Sequence, residues 1–312
     1  MKQKVLVLGG AGMLGSMVAD QLSREPDLEV TATTRTEEMA AACRERLGGV
    51  AWRTFDAAAD GDSGATGLFE ETDWVVNCVG IIKPLIRDEN AEEVERAVRV
   101  NALFPHLLAR RTEGRARVLQ IATDCVYSGA RGRYTEDDLH DALDVYGKTK
   151  SLGEVYASHV HHLRCSIIGP EIKSPKSLME WFLGQPRDGS VNGFVNHNWN
   201  GVTTLHYAKL CGGIIRGGIE LPHAQHVVPG GDVTKCEMLE HFARCYGRGD
   251  VTVTPTEAAT VIDRTLATKD EGLNRELWAA AGYAEPPSVP QMIGELAGYD
   301  FRMKLEVIRA GN

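Results

Sequence analysis

The stretch Val5-Leu6-Val7-Leu8-Gly9-Gly10-Ala11-Gly12-Met13-Leu14-Gly15 decides the fold. Val5–Leu8 is a continuous apolar run and reads as a buried parallel strand. The glycines then follow a GxxGxxG spacing, and Ser16–Arg24 has helical spacing. Glycine lets the chain turn tightly and lets the backbone approach a pyrophosphate. The helix N-terminus adds amides and a partial positive charge. Gly9, Gly12, Met13, Leu14 and Gly15 are therefore the first candidate cofactor contacts, for a dinucleotide. A glycine turn without a ligand is the bland alternative, and the position after a first strand weighs against it.

Working outward, the same alternation continues. Glu29–Thr34, Val50–Phe55, Asp73–Cys78, Arg117–Ala122 and His162–Ile168 read as further strands. Ala40–Leu47, Ala91–Arg111 (bending at Pro105) and Tyr146–His159 read as helices between them. Strand and helix in turn imply an α/β fold with a doubly wound parallel sheet of Rossmann type. After Gly169 the texture changes, and residues 170–201 are rich in Gly, Asn, Pro and Trp without clear periodicity. Thr203–Ile215 is helical again, Gln225–Val228 is a returning strand, and Thr234–Tyr246 and Pro290–Ala297 are helices joined by turns. Residues 1–170 with about 203–230 are the expected dinucleotide-binding domain. Residues 171–202 with 231–312 are the expected smaller substrate-binding region, laid over the sheet's C-terminal edge.

The chain has 312 residues and a formal net charge of −9, from 34 basic and 43 acidic side chains. An acidic chain without a basic block argues against nucleic acid and anionic membrane as partners. An anionic ligand must then be held by a few placed cations and backbone amides. The cysteines are scattered and form no CxxC pair, which reads as free thiols in a reducing compartment. The apolar run within Met1–Gly10 is too short for a signal peptide, and no apolar stretch is long enough to span a bilayer. The cytoplasm is the expected location, and a homodimer is the assembly considered.

The end of the second strand, Thr33-Thr34-Arg35, lacks the acid that usually meets the ribose 2′-hydroxyl of NAD. Hydroxyls and a guanidinium suit a 2′-phosphate, so Thr34 and Arg35 favour NADP(H) over NAD(H). Against this stands a solvated arginine, with Glu37 and Glu38 diluting the field. Asp56 is placed to meet the adenine amino group or to cap the following helix. Cys78, Val79 and Gly80 end the fourth strand and leave space for the ribose and nicotinamide, and Asn101 is counted with these cofactor contacts. Lys83, just beyond, faces either a substrate or solvent.

Tyr146 and Lys150 stand at i and i+4, on one side of a helix. A nearby ammonium favours the phenolate, lowers the tyrosine pKa and makes it a usable acid or base. YxxxK is common by chance. Its weight comes from Thr123 at the end of the fifth strand, whose hydroxyl can hold a substrate oxygen beside Tyr146.

With these residues the chain resembles the extended short-chain dehydrogenase/reductases, and within them the dTDP-4-dehydrorhamnose reductase group of sugar-nucleotide reductases. The resemblance is carried by Ile121–Gly129 (IATDCVYSG), Tyr134–Asp138 (YTEDD), Tyr146–Glu154 (YGKTKSLGE) and Leu163–Gly169 (LRCSIIG). It implies Thr123, Tyr146 and Lys150 as a catalytic triad, with Asp124 near the sugar. It implies reduction by NADPH of a keto group on a nucleotide-linked 4-keto-6-deoxy sugar. A 4-epimerase using the same triad, or a non-catalytic NADP-binding regulatory subunit on the same fold, are the alternatives.

The chain departs from related 4,6-dehydratases, which carry an acidic pair after the threonine. Here Asp124 is followed by Cys125, so dehydration is disfavoured. Ser128 stands where the reductase group often has an acid. No metal is expected: His159, His161 and His162 lack acidic partners and read as a solvated helix end. The run Asn196–Thr204 is polar and aromatic, either a packed loop anchored by Trp199 or a pocket wall in which Asn196, Trp199 and Thr203 meet the sugar or nucleobase.

Overall fold

The structure is a computed structural model and describes residues 2–59, 66–172 and 177–303. Residues 173–176 and 304–312 of the expected substrate region lie outside the described residues.

Val5, Leu6, Val7 and Leu8 are all at most 1% exposed, which a strand achieves only when both faces of its sheet are covered. They lie in β1 (Gln3–Leu8). Alternate residues serve opposite sides, as a period of two requires. Val5 and Val7 join one core with Met17, Val18 and Leu22 of α1 (Met13–Leu22), together with Leu210 and Ile214 of α7 (Thr204–Gly217). Leu6 and Leu8 join the other with Phe55, Phe69 and with Phe104 and Leu108 of α4 (Phe104–Thr112).

The remaining strands of the central sheet are β2 (Leu28–Thr34), β3 (Ala51–Thr54), β4 (Trp74–Asn77), β5 (Arg117–Ala122), β6 (Val160–Arg164) and β11 (Ala224–His226). The strand order is β11-β6-β5-β4-β1-β2-β3, and every pairing is parallel. Winding runs outward from β1 in one direction and from β4 in the other. Such a switch opens a crevice above the C-terminal strand ends. The doubly wound parallel sheet expected from the sequence is the fold observed.

Several boundaries differ from the sequence reading. The long helix over 91–111 is α3 (Ala91–Ala97), a π-helical stretch (Val98–Leu103) and then α4. Pro105 falls in the first turn of α4, where its missing N–H is no loss. The helix expected over 146–159 is only α5 (Val145–Leu152). It closes at Gly153, whose N–H donates to the Thr149 carbonyl at 3.1 Å. Strand β6 therefore starts earlier than expected, and Ile167–Ile168 separates from it as β7. The histidines are thus no solvated helix end: His161 and His162 are 5% and 0% exposed within β6, and His159 contacts the Ala109 carbonyl at 3.0 Å. Among the described residues no helix is long and apolar enough to cross a membrane, and no cluster of His, Cys, Asp or Glu could hold a metal ion.

The stretch that showed no period holds α6 (Leu178–Leu183), β8 (Ser190–Phe194) and β9 (Asn198–Trp199), and β10 (Val202–Thr203) follows directly. Its strands are short and pair far along the chain, which erases any local pattern. β8 pairs with β13 (Thr252–Thr256), and β9 pairs antiparallel with β12 (Val233–Thr234). β10 runs parallel to β7. The antiparallel bridge sets Trp199 opposite Val233 and fixes the start of α8 (Lys235–Cys245). α9 (Glu271–Ala280) was not foreseen, and α10 (Val289–Gly298) follows it.

Candidate active site

The glycine loop is held against β2. Gly10 N donates to the Thr33 carbonyl at 2.7 Å, and Gly9 N donates to Thr33 Oγ1 at 3.1 Å. A Cβ on Gly15 would stand 2.2 Å from the Gly9 carbonyl oxygen, so only glycine lets α1 start this close to the strand end. Gly12 caps α1 and offers no side chain of its own to the first helical amides. This bare, closely wound cradle fits the pyrophosphate of a dinucleotide. Met13 is half-buried, while Leu14 is a core side chain, so the latter offers the cradle only its backbone.

At the end of β2, Thr34 is 3% exposed and its hydroxyl donates to the Thr36 carbonyl at 2.8 Å. Arg35 is exposed, with no ion pair among the described residues, and Glu37 is drawn to Arg44 at 3.4 Å. Asp56 accepts from Ala58 N at 2.9 Å and so ties a turn. Beyond β4, Cys78 and Val79 pack against the two cores, and a Cβ on Gly9 would lie 3.2 Å from Val79 Cγ2. Buried Asn77 braces them: it donates to Gln120 Oε1 at 2.7 Å and accepts from Val79 N at 3.1 Å. Asn101 lies in the π-helical stretch and grips the Ile81 backbone from both ends, accepting from its N–H at 2.8 Å and donating to its carbonyl at 3.0 Å. Its amide shapes the wall behind Gly80.

Thr123, Tyr146 and Lys150 converge at the C-terminal end of β5. Asp144 caps α5 by accepting from Gly147 N at 2.7 Å. Gly147 lets the helix press on the loop after β5, since a Cβ there would lie 2.4 Å from the Cys125 carbonyl oxygen. That approach brings the Tyr146 phenol close enough to the Thr123 hydroxyl for the latter to favour its ionised form. The Thr123 hydroxyl also donates to Asp124 Oδ1 at 3.2 Å and accepts from Cys125 N at 3.1 Å. Lys150 Nζ donates to the Ile121 carbonyl at 3.0 Å.

The electrostatics differ from the sequence expectation. Burial pushes the Tyr146 phenol well above the usual tyrosine range, Cys125, Asp124 and Asp144 push further, and only the Thr123 hydroxyl favours its ionised form strongly. Burial also lowers the Lys150 ammonium to about 8, against the pull of Glu154. Withdrawal from water thus outweighs the ammonium–phenol attraction that the YxxxK spacing implies. Burial with Asp124 alongside lifts the Cys125 thiol to about 12, so it is a neutral thiol and no base at neutral pH.

The expected substrate contacts divide. Asp124, 7% exposed, lies at the site, and burial raises its carboxyl against the pull of Arg264 and Lys235. Trp199 lies under the Lys235 ammonium, 5.6 Å from the ring centre. Lys83 is tied to Asp144 at 2.7 Å, beside the cap of α5. Asn196 and Thr203 point elsewhere. Asn196 clamps the Ala258 backbone at 2.8 and 3.0 Å, and Thr203 is 1% exposed and caps α7 while bonding His206 Nδ1 at 2.7 Å. Ser128 takes up an acid from further along the chain, donating through N and Oγ to Asp141 at 2.6 and 2.7 Å.

Sequence reasoning missed Lys235 and Arg264. Arg264 sits in a loop without motif or period, and the Tyr127 carbonyl, which accepts from its Nε at 2.8 Å, anchors it. Lys235 opens an ordinary amphipathic helix, and its place follows from the long-range β9–β12 bridge.

Residues 3–168 match the family model described as RmlD substrate binding domain. A dTDP-4-dehydrorhamnose reductase of Mycolicibacterium smegmatis is 30% identical over 162 residues, covering 49% of this chain and 41% of the relative's own length. Among solved structures, a dTDP-4-dehydrorhamnose reductase from Clostridium acetobutylicum is 19% identical with a TM-score of 0.69, covering 95% of this chain and 99% of that one. One from Bacillus anthracis, in complex with NADP, is 18% identical with a TM-score of 0.67 over 95% and 99% of the two chains. A UDP-glucuronic acid 4-epimerase from Bacillus cereus, in complex with UDP-glucuronic acid and NAD, is 15% identical with a TM-score of 0.73 over 95% and 98%. At these identities the structures speak for the fold.

Proposed function

The chain belongs to the RmlD substrate binding domain family, and from that premise we propose that it is an NADPH-dependent reductase of a keto group on a nucleotide-linked 4-keto-6-deoxy sugar. The observation that carries the reading is the meeting of Thr123, Tyr146 and Lys150 at the end of β5, above a glycine cradle fitted to a dinucleotide. The named reductase relative supports the reaction class, and Arg35 at the end of β2 supports the phosphorylated cofactor.

NADPH, when bound, supplies the hydride. The chain supplies position and the proton. Gly9, Gly12 and Gly15 with the first amides of α1 hold the pyrophosphate, Arg35 meets the 2′-phosphate, and Lys150 holds the nicotinamide ribose. Thr123 and Tyr146 receive the carbonyl oxygen. A phenol whose pKa is raised keeps its proton at neutral pH, so Tyr146 waits as an acid. An alkoxide is a stronger base than a phenolate, so the proton passes to the substrate oxygen as charge develops there. Asp124 holds the Thr123 hydroxyl and faces the sugar. Neutral Cys125 offers no base for elimination, which separates the reaction from dehydration. A sugar nucleotide is the proposed partner and the cytoplasm the proposed location.

A 4-epimerase is the second reading, favoured by the fold likeness to the Bacillus cereus enzyme. Incubation with 4-keto-6-deoxy sugar nucleotides separates the two. Reduction consumes NADPH in step with product, read from the absorbance of the reduced nicotinamide. Product without net oxidation means epimerisation, and tight cofactor binding without turnover on a broad panel means a regulatory subunit.

A further inference from the structure

Lys235 and Arg264, from different parts of the C-terminal region, both bear electrostatically on Asp124. Each is fixed in place. Lys235 N donates to the His197 carbonyl at 2.9 Å, and a capping box of Thr234 and Glu237 holds the helix start. Arg264 is anchored through Nε on the Tyr127 carbonyl. Among the described residues neither cation has a carboxylate within ion-pair distance, and the Lys235 ammonium has no hydrogen-bond acceptor. Its neighbours are the Trp199 ring, Asp124, Cys125 and the like-charged Arg264.

Two like charges half-buried together raise the energy of the fold unless an anion joins them. The burden is visible at Lys235: burial, with Arg264 adding to it, holds its ammonium down at about 8 although Asp124 and Cys125 pull the other way. Asp124 offers a single carboxylate to two cations, and its Oδ1 also accepts from the Thr123 hydroxyl. The rest of the molecule carries a net charge of the opposite sign, so this cationic spot is local and placed. Its place is one residue from Thr123, beside the reacting position.

We propose that Lys235 and Arg264 form an anion-binding pair that holds negatively charged oxygens of the substrate next to the reacting carbon, over the Trp199 ring. The inference rests on the reading of the substrate as a sugar nucleotide. Its anionic oxygens come either from the phosphates of the nucleotide link or from a carboxylate on the sugar. Charge-assisted hydrogen bonds of this kind contribute enough that losing one weakens binding by roughly 10-fold or more.

The test is calorimetric titration of the full chain, saturated with NADP, using UDP, dTDP, UDP-glucose, dTDP-glucose and UDP-glucuronate. Wild type is compared with Lys235→Met, Lys235→Arg and Arg264→Met, with NADPH affinity as the check on folding. A loss of about 10-fold or more in both Met variants for every ligand, the bare diphosphates included, supports the pair and assigns it to phosphate. A loss confined to UDP-glucuronate supports it and assigns it to a sugar carboxylate. Lys235→Arg keeps the charge and retains the affinity that Lys235→Met loses; equal loss in both contradicts a charge-based role. Wild-type binding that survives unchanged in the Met variants overturns the pair and leaves the sugar-nucleotide reading standing. A wild type that binds none of the ligands overturns both.

Discussion

Lys150 donates its ammonium to the Ile121 carbonyl oxygen at 3.0 Å, just upstream of Thr123 on the same strand-to-loop passage. The lysine is thereby stretched along the end of β5, one helical turn beyond Tyr146, with its charge held in a buried place. Burial lowers its pKa to about 8. The group is charged below that value and neutral above it. If Lys150 holds the cofactor ribose as an ammonium, NADPH affinity falls as pH rises through about 8. Lys150→Met has weaker NADPH binding below about pH 8, loses this limb of the profile and approaches the wild type above it. Fluorescence titration of the reduced nicotinamide across the range checks it, and an unchanged slope in the variant contradicts the assignment.

Arg35 is predicted to set the cofactor preference. It is exposed at the end of β2, where an NAD-selective chain carries an acid. The expected outcome is that NADPH binds several-fold tighter than NADH in the wild type, and that Arg35→Ala removes most of the difference while leaving NADH affinity unchanged. Calorimetry with both cofactors measures it. Equal affinities in the wild type refute cofactor selectivity and leave the fold untouched.

Gly15 sets the closeness of α1 to the strand end. Gly15→Ala places a methyl 2.2 Å from the Gly9 carbonyl oxygen, a backbone atom that cannot step aside. The loop must open, at a cost of about 1–3 kcal/mol in stability. NADPH binding is lost to a greater degree than stability, because the cradle itself is spread. Urea unfolding beside cofactor titration reads both effects, and a stable variant with full affinity contradicts the cradle.

The sequence revealed those parts of the site that local pattern encodes. Val5–Leu8 and the glycines after it announce β1 and the cradle, and the order of Thr123, Tyr146 and Lys150 anticipates their meeting at β5. What local pattern could not place is set by distant contacts. Asn101 is an ordinary helical asparagine until the π-helical stretch turns it onto Ile81. Asn196 and Thr203 belong to an evocative polar run, yet their side chains are consumed by Ala258 and His206. Lys235 and Arg264 carry no signature because the β9–β12 bridge and the Tyr127 carbonyl place them. The ionisation of Tyr146 was misjudged for a related reason. The spacing shows which charge is near, whereas the depth of burial that overrides it is a property of the folded whole.

The central claim is that Tyr146 delivers the proton, and one substitution addresses it. Tyr146→Phe keeps the ring and its packing but removes the transferable proton. Stability and NADPH affinity stay near wild type. Thr123→Val serves as the neighbouring comparison, lowering turnover with little change in cofactor affinity. The measurement is turnover of Tyr146→Phe against wild type, at saturating NADPH and with the 4-keto sugar nucleotide that the wild type reduces. A fall of roughly 10²-fold or more, the usual scale for a positioned acid, is the predicted result. Turnover within a factor of about three of wild type would contradict the account, because proton delivery would then lie elsewhere.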